Sequence, residues 1–157
     1  MNPIKYIINK VIHKGDYFLR KMSPTWCAKR KYISEYAFWC SQLQAIVRWY
    51  EQGDVDFWGL PSPTASQKQY VSDNIVLNAV VTINTMRPAY LEQLKLKRDV
   101  FRGKKVLEIG CGPLAPIMQF TNCERYGLDP LIELYKKGGW PLAQYPVIFS
   151  NAVAEAI

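Results

Sequence analysis

Residues 104–129, KKVLEIGCGPLAPIMQFTNCERYGLD, are the stretch that decides how the rest of the chain is interpreted. The stretch opens with an apolar run typical of a buried parallel strand and then reaches two glycines, Gly110 and Gly112. Glycine has no Cβ, so the chain can turn sharply there and a ligand can approach the main chain closely. A helix over residues 114–120 and a second short strand over residues 125–128 are predicted to follow.

The order of these parts is that of a nucleotide-binding half-unit. Asp129 follows the second strand, where an acid is placed to accept hydrogen bonds from ribose hydroxyls. The free N–H groups at the start of the predicted helix would point back at the turn. An ordinary strand–turn–helix without a ligand is the plainer interpretation, but it gives no reason for two glycines and two acids to coincide.

Two cofactors fit this half-unit. Gly110, Gly112 and Ala115 match the dinucleotide pattern G-x-G-x-x-G/A, and Asp129 follows Glu108 by 21 residues, near the expected ~20. Glu108 favours S-adenosylmethionine (SAM) instead, because a dinucleotide fold usually keeps an apolar residue two positions before the first glycine. A carboxylate at that position can meet the cationic amino group of the methionine part of SAM, directly or through water.

The same residues carry a resemblance to a known family. Residues 106–114, VLEIGCGPL, resemble the first motif of the class I SAM-dependent methyltransferases, and residues 125–130, RYGLDP, resemble their second strand with its ribose-binding acid. The resemblance covers residues 102–157 and departs at Leu114, where many members have glycine. It implies cofactor contacts at six motif residues, which are Glu108, Gly110, Cys111, Gly112, Asp129 and Pro130.

The resemblance implies methyl transfer from SAM. Glu108 would hold the amino group of the methionine part, the main chain of residues 110–112 would let the carboxylate and ribose approach, and Asp129 would grip the ribose hydroxyls. The sulfonium is already a strong electrophile, so the protein mainly aligns donor and acceptor and excludes water. The acceptor and any catalytic base are not identified, and a surface glycan or lipid precursor is an analogy with other methyltransferases only.

The predicted fold is α/β, a partial Rossmann-like doubly wound parallel sheet with strands in the order 3-2-1 and a helical N-terminal extension. Residues 1–53 form the extension, residues 54–63 a linker or lid loop, and residues 64–157 an incomplete SAM-binding domain. By resemblance the family has seven strands, so strand 1 would here lie at a sheet edge. We favour a truncated or partial sequence; a second chain that completes the sheet, and coverage of the edge by the N-terminal helices, stay open.

The net charge of +7 belongs to the N-terminal region. Residues 1–50 hold nine Lys and Arg against two acids, whereas the rest of the chain holds eleven of each. Residues 4–21 predict an amphipathic helix with a basic polar face. Peripheral contact with an anionic membrane surface and docking on protein both fit this helix, and we favour docking. The chain has no recognised nucleic-acid-binding motif, so the charge does not predict a nucleic-acid partner.

Helices are predicted before and after a loop rich in glycine and proline. The first covers residues 25–52 and ends at Gly53, the second covers residues 64–86, and a short third covers residues 89–97. The loop, residues 54–63, carries three large apolar side chains that fit either a core anchor or a lid. These side chains are Phe57, Trp58 and Leu60.

Beyond Asp129 we predict a short helix over residues 130–137 and a third strand over residues 147–149. The last residues, 150–157, resemble the family segment that runs under the adenine ring. Val153 stands where that segment usually carries an acid. An adenine contact would therefore come from the main chain or from Asn151.

The cysteines and the apolar runs bear on location. Four cysteines show neither a CxxC pair nor Cys/His metal spacing, so we predict no metal site and interpret them as the reduced thiols of a cytoplasmic protein. Neither a signal peptide nor a run of eighteen apolar residues is evident, and contact with the inner face of the membrane would come through residues 4–21.

A non-catalytic, partner-binding half-domain and an NAD-dependent oxidoreductase are the alternative functions.

Overall fold

A computed structural model of the chain describes residues 24–53 and 57–152. The chain groups into two compact units, Met1–Ala37 and Phe38–Ile157. The predicted amphipathic helix over residues 4–21 lies outside the described residues. None of the helices in the described part combines the length and the hydrophobicity that crossing a bilayer requires.

Helix α1, Pro24–Glu51, agrees closely with the helix predicted over residues 25–52. Its second half belongs to the second unit, where Ile46 and Trp49 are fully buried. Burial of these large side chains ties the end of the helix to the core of that unit. The second unit therefore begins inside the helix, whereas we predicted a domain boundary after residue 53.

The loop after α1 is anchored by apolar and backbone contacts. Phe57 is buried, and its main chain exchanges two hydrogen bonds with that of Leu60 at 3.3 and 3.1 Å. The indole N–H of Trp49 donates to the carbonyl oxygens of Leu60 and Pro61 at 3.3 and 3.2 Å. Trp58 is exposed and stacks on the ring of Phe57. The core-anchor interpretation therefore fits Phe57, while Trp58 lies at the surface.

The segment over residues 64–86 is helical only in its second half. Helix α2 is Ile75–Met86, and the side chain of Asn74 caps it by accepting from two N–H groups of the first turn. The amide oxygen of Asn78 accepts from two N–H groups of the residues before the helix, which form turns. Our prediction of one continuous helix is wrong, because these asparagines take backbone hydrogen bonds that a helix would need.

Helix α3, Ala89–Gln93, follows the break predicted at Pro88. It is four residues shorter than the helix predicted over residues 89–97. Lys95 has a φ of 51°, a left-handed conformation that a right-handed helix cannot contain. The chain then turns several times before the first strand.

Three parallel strands form the sheet of the second unit: β1, Lys105–Ile109; β2, Glu124–Leu128; and β3, Ile148–Ser150. Their order is β1-β2-β3, so β2 is central and β1 lies at an edge. The predicted strand order and the mixed α/β class are confirmed. The third strand begins one residue later than predicted.

The two faces of the sheet differ in their cover. Successive side chains of a strand point to opposite faces, and the register aligns Glu108, Gly127 and Phe149 across the packed face. A Cβ on Gly127 would lie 2.7 Å from the ring of Phe149, so glycine is required there. On the other face Leu107 and Ile109 are 50% and 59% exposed. The packed face is therefore the one that positions the acid of β1.

The connection from β1 to β2 is not the helix predicted over residues 114–120. It contains one 3₁₀ turn, Pro116–Gln119, which follows Ala115 in a left-handed conformation with a φ of 41°. Pro116 disfavours a helical backbone at the residue before it, and a residue in a left-handed conformation cannot belong to a right-handed helix. The prediction is wrong because the chain breaks at Ala115 and Pro116, inside the predicted range.

The connection from β2 to β3 contains helix α4, Ile132–Lys137, and a 3₁₀ turn, Leu142–Gln144. The helix begins two residues later than predicted and ends at the predicted glycine pair. Ile132 and Tyr135 are buried and hold it against the second unit. Val153 and the residues after it lie outside the described part of the chain.

Candidate functional site

The glycine turn lies where β1 and β2 end side by side. Gly110 and Gly112 have φ values of 69° and 55°, left-handed conformations that favour glycine. The N–H of Gly110 donates to the carbonyl oxygen of Leu128 at 2.8 Å, which extends the pairing of the two strands by one residue. The turn is thus tied directly to the end of β2.

Asp129 holds the turn from the β2 side. It is 2% exposed, and its Oδ2 accepts from the N–H of Gly112 at 3.0 Å while its Oδ1 accepts from the N–H of Leu131 at 2.8 Å. Its own N–H donates to the carbonyl oxygen of Ser150 at 3.2 Å. Main-chain groups therefore fix this carboxylate between the glycine turn and the start of the next connection.

Glu108 occupies the matching place near the end of β1 and is also buried, with 7% exposure. Its Oε1 accepts from the hydroxyl of Tyr90 at 2.5 Å, and its Oε2 accepts from the N–H of Ile117 at 3.0 Å. We predicted that free N–H groups after the turn would face a ligand. Pro116 has no N–H, and the N–H of Ile117 is taken by the carboxylate of Glu108.

The surroundings of Glu108 act on its ionisation in opposite directions. Burial raises the pKa of Glu108 above its ordinary value, and the charge of Asp129 raises it further. The hydrogen bonds from Tyr90 and from the N–H of Ile117 lower this pKa. Both carboxylates lie beside the glycine turn, since Asp129 is bonded to the N–H of Gly112 and Glu108 to the N–H of Ile117.

Tyr90 is itself held by a chain of buried amide side chains. Its N–H donates to Oε1 of Gln119 at 3.0 Å, and Nε2 of Gln119 donates to Oδ1 of Asn84 at 3.2 Å. Nδ2 of Asn84 donates to the carbonyl oxygen of Leu114 at 2.8 Å. Sequence reasoning missed this network, whose one visible signal was a polar residue, Asn84, inside the apolar helix α2.

Cys111 lies between the two acids and is buried. Burial raises the pKa of its thiol to about 12, and the charges of Glu108 and Asp129 contribute in the same direction. The thiol is therefore neutral at physiological pH and is not an activated nucleophile. Cys111 therefore acts here as a small, buried residue of the turn.

The site holds two buried carboxylates, and no cation among residues 24–53 and 57–152 forms an ion pair with either. Three ion pairs of that part of the chain lie on the surface: Arg102–Asp99, Lys105–Glu124 and Lys136–Glu133. Buried charges in proteins are normally paired or bound to a cation. The electrostatics of the turn therefore suit a cationic ligand better than an anionic one.

The two glycines of the turn have different neighbours. A Cβ on Gly112 would lie 3.4 Å from the ring of Trp39, which belongs to the part of α1 in the second unit. At Gly110, which is exposed, a Cβ would have no heavy atom of the described residues within 4 Å. A ligand can thus approach the main chain at Gly110, whereas Trp39 covers Gly112.

A pocket of about 270 Å³ lies beside Glu108 along the unpaired edge of β1. Tyr90 and Glu108 supply its polar side chains, and the remaining described lining residues are apolar, Phe101 and Leu94 among them. Of the six predicted site residues, Glu108 is the one that lines it. The pocket therefore reaches the acid of β1 and not the acid of β2.

Pro130 is half-buried directly after Asp129. Within the described residues no group of three or more His, Cys, Asp or Glu is arranged to hold a metal ion.

No family model, curated protein or solved structure matches the chain. The likeness to methyltransferases consequently depends on the residues of the turn and its two strands.

Proposed function

We propose that the chain is part of a SAM-dependent methyltransferase. It binds S-adenosylmethionine at the glycine turn, in a Rossmann-like arrangement. The observation that carries this proposal is the pair of buried carboxylates, Glu108 and Asp129, at the ends of neighbouring parallel strands. SAM brings a sulfonium and an ammonium group to such a site. The ammonium group then gives Glu108 a counter-charge that the described residues do not supply, and the ribose hydroxyls give Asp129 neutral donors.

The same geometry argues against a dinucleotide. A pyrophosphate is anionic and needs the free N–H groups of a helix that follows the turn. Here a 3₁₀ turn of four residues follows, and its N–H at Ile117 is bonded to Glu108. Two nearby carboxylates would in addition repel the phosphates. An NAD-dependent oxidoreductase is therefore the less favourable candidate.

Within this proposal each residue of the turn has one role. Glu108 receives the amino group of the methionine part, and the open main chain at Gly110 admits the ligand. Asp129 fixes the turn through Gly112, and the acceptor sites that remain on its carboxylate serve the ribose hydroxyls. The transfer itself needs alignment of the methyl group with an acceptor and exclusion of water.

Calorimetric titration of the folded chain with SAM and with NAD tests the proposal. We expect SAM to bind, NAD not to bind, and Glu108→Gln to weaken SAM binding about tenfold or more, because one charged hydrogen bond is lost. Glu124→Gln, an exposed acid of the same sheet, is the matched control and should bind as the natural chain does. A folded natural chain that binds no SAM refutes the proposal.

A partner-binding half-domain is the second candidate, and the edge of the sheet favours it. β1 is paired on one side only, and its side chains Leu107 and Ile109 are 50% and 59% exposed. Unpaired apolar strands readily take up a further strand. Sedimentation of the natural chain and of Leu107→Lys at rising concentration tests this candidate. Self-association of the natural chain, or its co-sedimentation with a partner protein, would support the candidate if the lysine variant lacks it. If both chains sediment as monomers, self-association is contradicted.

A further inference from the structure

We infer that Tyr90 is a positioning residue for the proposed cofactor site: its hydroxyl holds the carboxylate of Glu108 in the direction that the cationic amino end of the ligand needs. This inference rests on the proposed function and adds to it a residue that lies outside the glycine turn. It is drawn from the geometry around Glu108, from the support of Tyr90, and from the charges nearby.

The geometry is that of a carboxylate held by two donors from two different elements. Tyr90 of α3 donates to Oε1, and Ile117 of the 3₁₀ turn donates to Oε2. The phenol is an O–H donor, and such a donor bonds an ionised carboxylate more strongly than a neutral one. With one donor on each oxygen, the plane of the carboxylate cannot rotate freely.

Tyr90 does not depend on a ligand for its own position. Its N–H is bonded to Gln119, which is buried and bonded to Asn84 in turn. Its ring stacks on that of Phe120 with 6.3 Å between centroids. The hydroxyl is thus presented to Glu108 by α2, α3 and the 3₁₀ turn together.

The groups that face Glu108 explain why a donor is needed. Asp129 at the end of β2 brings a negative charge, and Cys111 in the turn brings a neutral thiol. Burial raises the pKa of the Tyr90 phenol, so it too is neutral and remains a donor. The phenol and the N–H of Ile117 are the two groups that favour the ionised acid. Loss of the phenol therefore makes Glu108 easier to protonate.

Because Tyr90 and Glu108 both line the pocket, the bond between them affects ligand binding. The other described lining residues of this 270 Å³ pocket are apolar. An ammonium group that enters there has one acid to pair with. If that acid takes up a proton or turns away, the ammonium group has lost its counter-charge.

Titration of Tyr90→Phe with SAM between pH 5.5 and 7.5 tests the inference. The α-amino group stays mostly protonated in this range, so a change in affinity reports on the acid. We expect SAM affinity in the variant to fall at a higher pH than in the natural chain. Near pH 5.5 the variant should bind about tenfold more weakly than the natural chain, with a smaller difference at pH 7.5.

Tyr126→Phe is a matched control, because Tyr126 donates to Glu124 at 2.8 Å in an exposed pair on the same sheet. It should leave the pH dependence of SAM binding unchanged. In a Glu108→Gln background, Tyr90→Phe should have little further effect on affinity, since the two residues act through one bond. Tyr90→Leu is a second variant without a hydroxyl and should reproduce the result.

A measurement without cofactor separates the two proposals. The ¹³C shift of the Glu108 carboxyl carbon follows its protonation directly, and we expect its midpoint to lie at higher pH in Tyr90→Phe than in the natural chain. An unchanged midpoint, or SAM binding with an unchanged pH profile, overturns the inference and leaves the proposed function standing. A folded natural chain without SAM binding overturns both.

Discussion

Glu108 and Asp129 end neighbouring strands and are both buried, yet the chain holds them by different means. Asp129 takes both of its hydrogen bonds from main-chain N–H groups, those of Gly112 and Leu131. Glu108 takes one bond from a main-chain N–H and the other from a tyrosine that lies 18 residues earlier in the sequence. The first acid is fixed by the path of the chain, and the second by a side chain that one substitution can remove.

This difference separates two tasks. A carboxylate held by the main chain keeps the glycine turn closed, so its loss should act on stability. A carboxylate held by a side chain can be adjusted in charge and direction without change to the turn, so its loss should act on binding. The following experiments test that separation.

The largest effect on stability is expected from Asp129→Ala. The substitution leaves the N–H groups of Gly112 and Leu131 buried without their acceptor, at about 1–3 kcal/mol each. We therefore expect the free energy of unfolding, measured with urea, to fall by about 2–6 kcal/mol. Glu133→Ala, an exposed acid of α4, is the control and should change it by less than about 1 kcal/mol. Equal losses in the two variants would contradict a structural role for Asp129.

A smaller effect, dependent on pH, is expected from Glu108→Gln. Since the pKa of Glu108 is raised in the folded chain, the folded state binds this proton more tightly than the unfolded state. The contribution of Glu108 to stability is therefore present at low pH and is lost as the pH rises through the folded pKa. Glutamine does not titrate, so the variant does not lose this contribution. The free energy of unfolding of Glu108→Gln, relative to that of the natural chain, should therefore rise between pH 4.5 and 7.5.

Urea unfolding of both chains at three pH values in that range gives the comparison. Glu124→Gln serves as the exposed control and should follow the natural chain at each pH. A difference between Glu108→Gln and the natural chain that stays constant with pH would show that the acid is not perturbed by its surroundings.

The smallest effect concerns Cys111, because the charges of both acids raise the pKa of its thiol. Its thiol is buried and neutral, so alkylation by iodoacetamide at pH 8 should be much slower than that of Cys123, which is half-buried. Peptide mass spectrometry after timed labelling measures both rates in one sample. Labelling of Cys111 should appear once the chain is unfolded in urea. Equal rates in the folded chain would mean that the turn opens readily and that neither acid is held as described.

The part of the site that sequence reasoning reached is the part held by local contacts. An apolar run, two glycines and an acid after the next strand are enough to predict β1, β2 and the turn, because the pairing of these strands and the bond from Gly112 to Asp129 follow from one short connection. The same local reasoning predicted the end of α1 at Gly53 and the break at Pro88.

What could not be predicted depends on contacts between distant residues. Glu108, Tyr90, Gln119 and Asn84 form one network, yet neighbours in it lie 18, 29 and 35 residues apart in the sequence. A polar residue in an apolar helix gives no information about its partner. The missing helix after the turn had a local cause in Pro116, which disfavours a helical conformation at Ala115, and the apolar pattern was given too much weight there.

The contact between Trp39 and Gly112 gives the chain an optical reporter of its own. Indole emission depends on the polarity and the quenching groups around the ring, and this ring lies 3.4 Å from the place that a Cβ of Gly112 would take. A molecule that settles on the turn, or a turn that opens, will change the emission of Trp39 without any added label. Replacement by phenylalanine isolates its signal from those of the other tryptophans, so the state of the turn can be followed in real time.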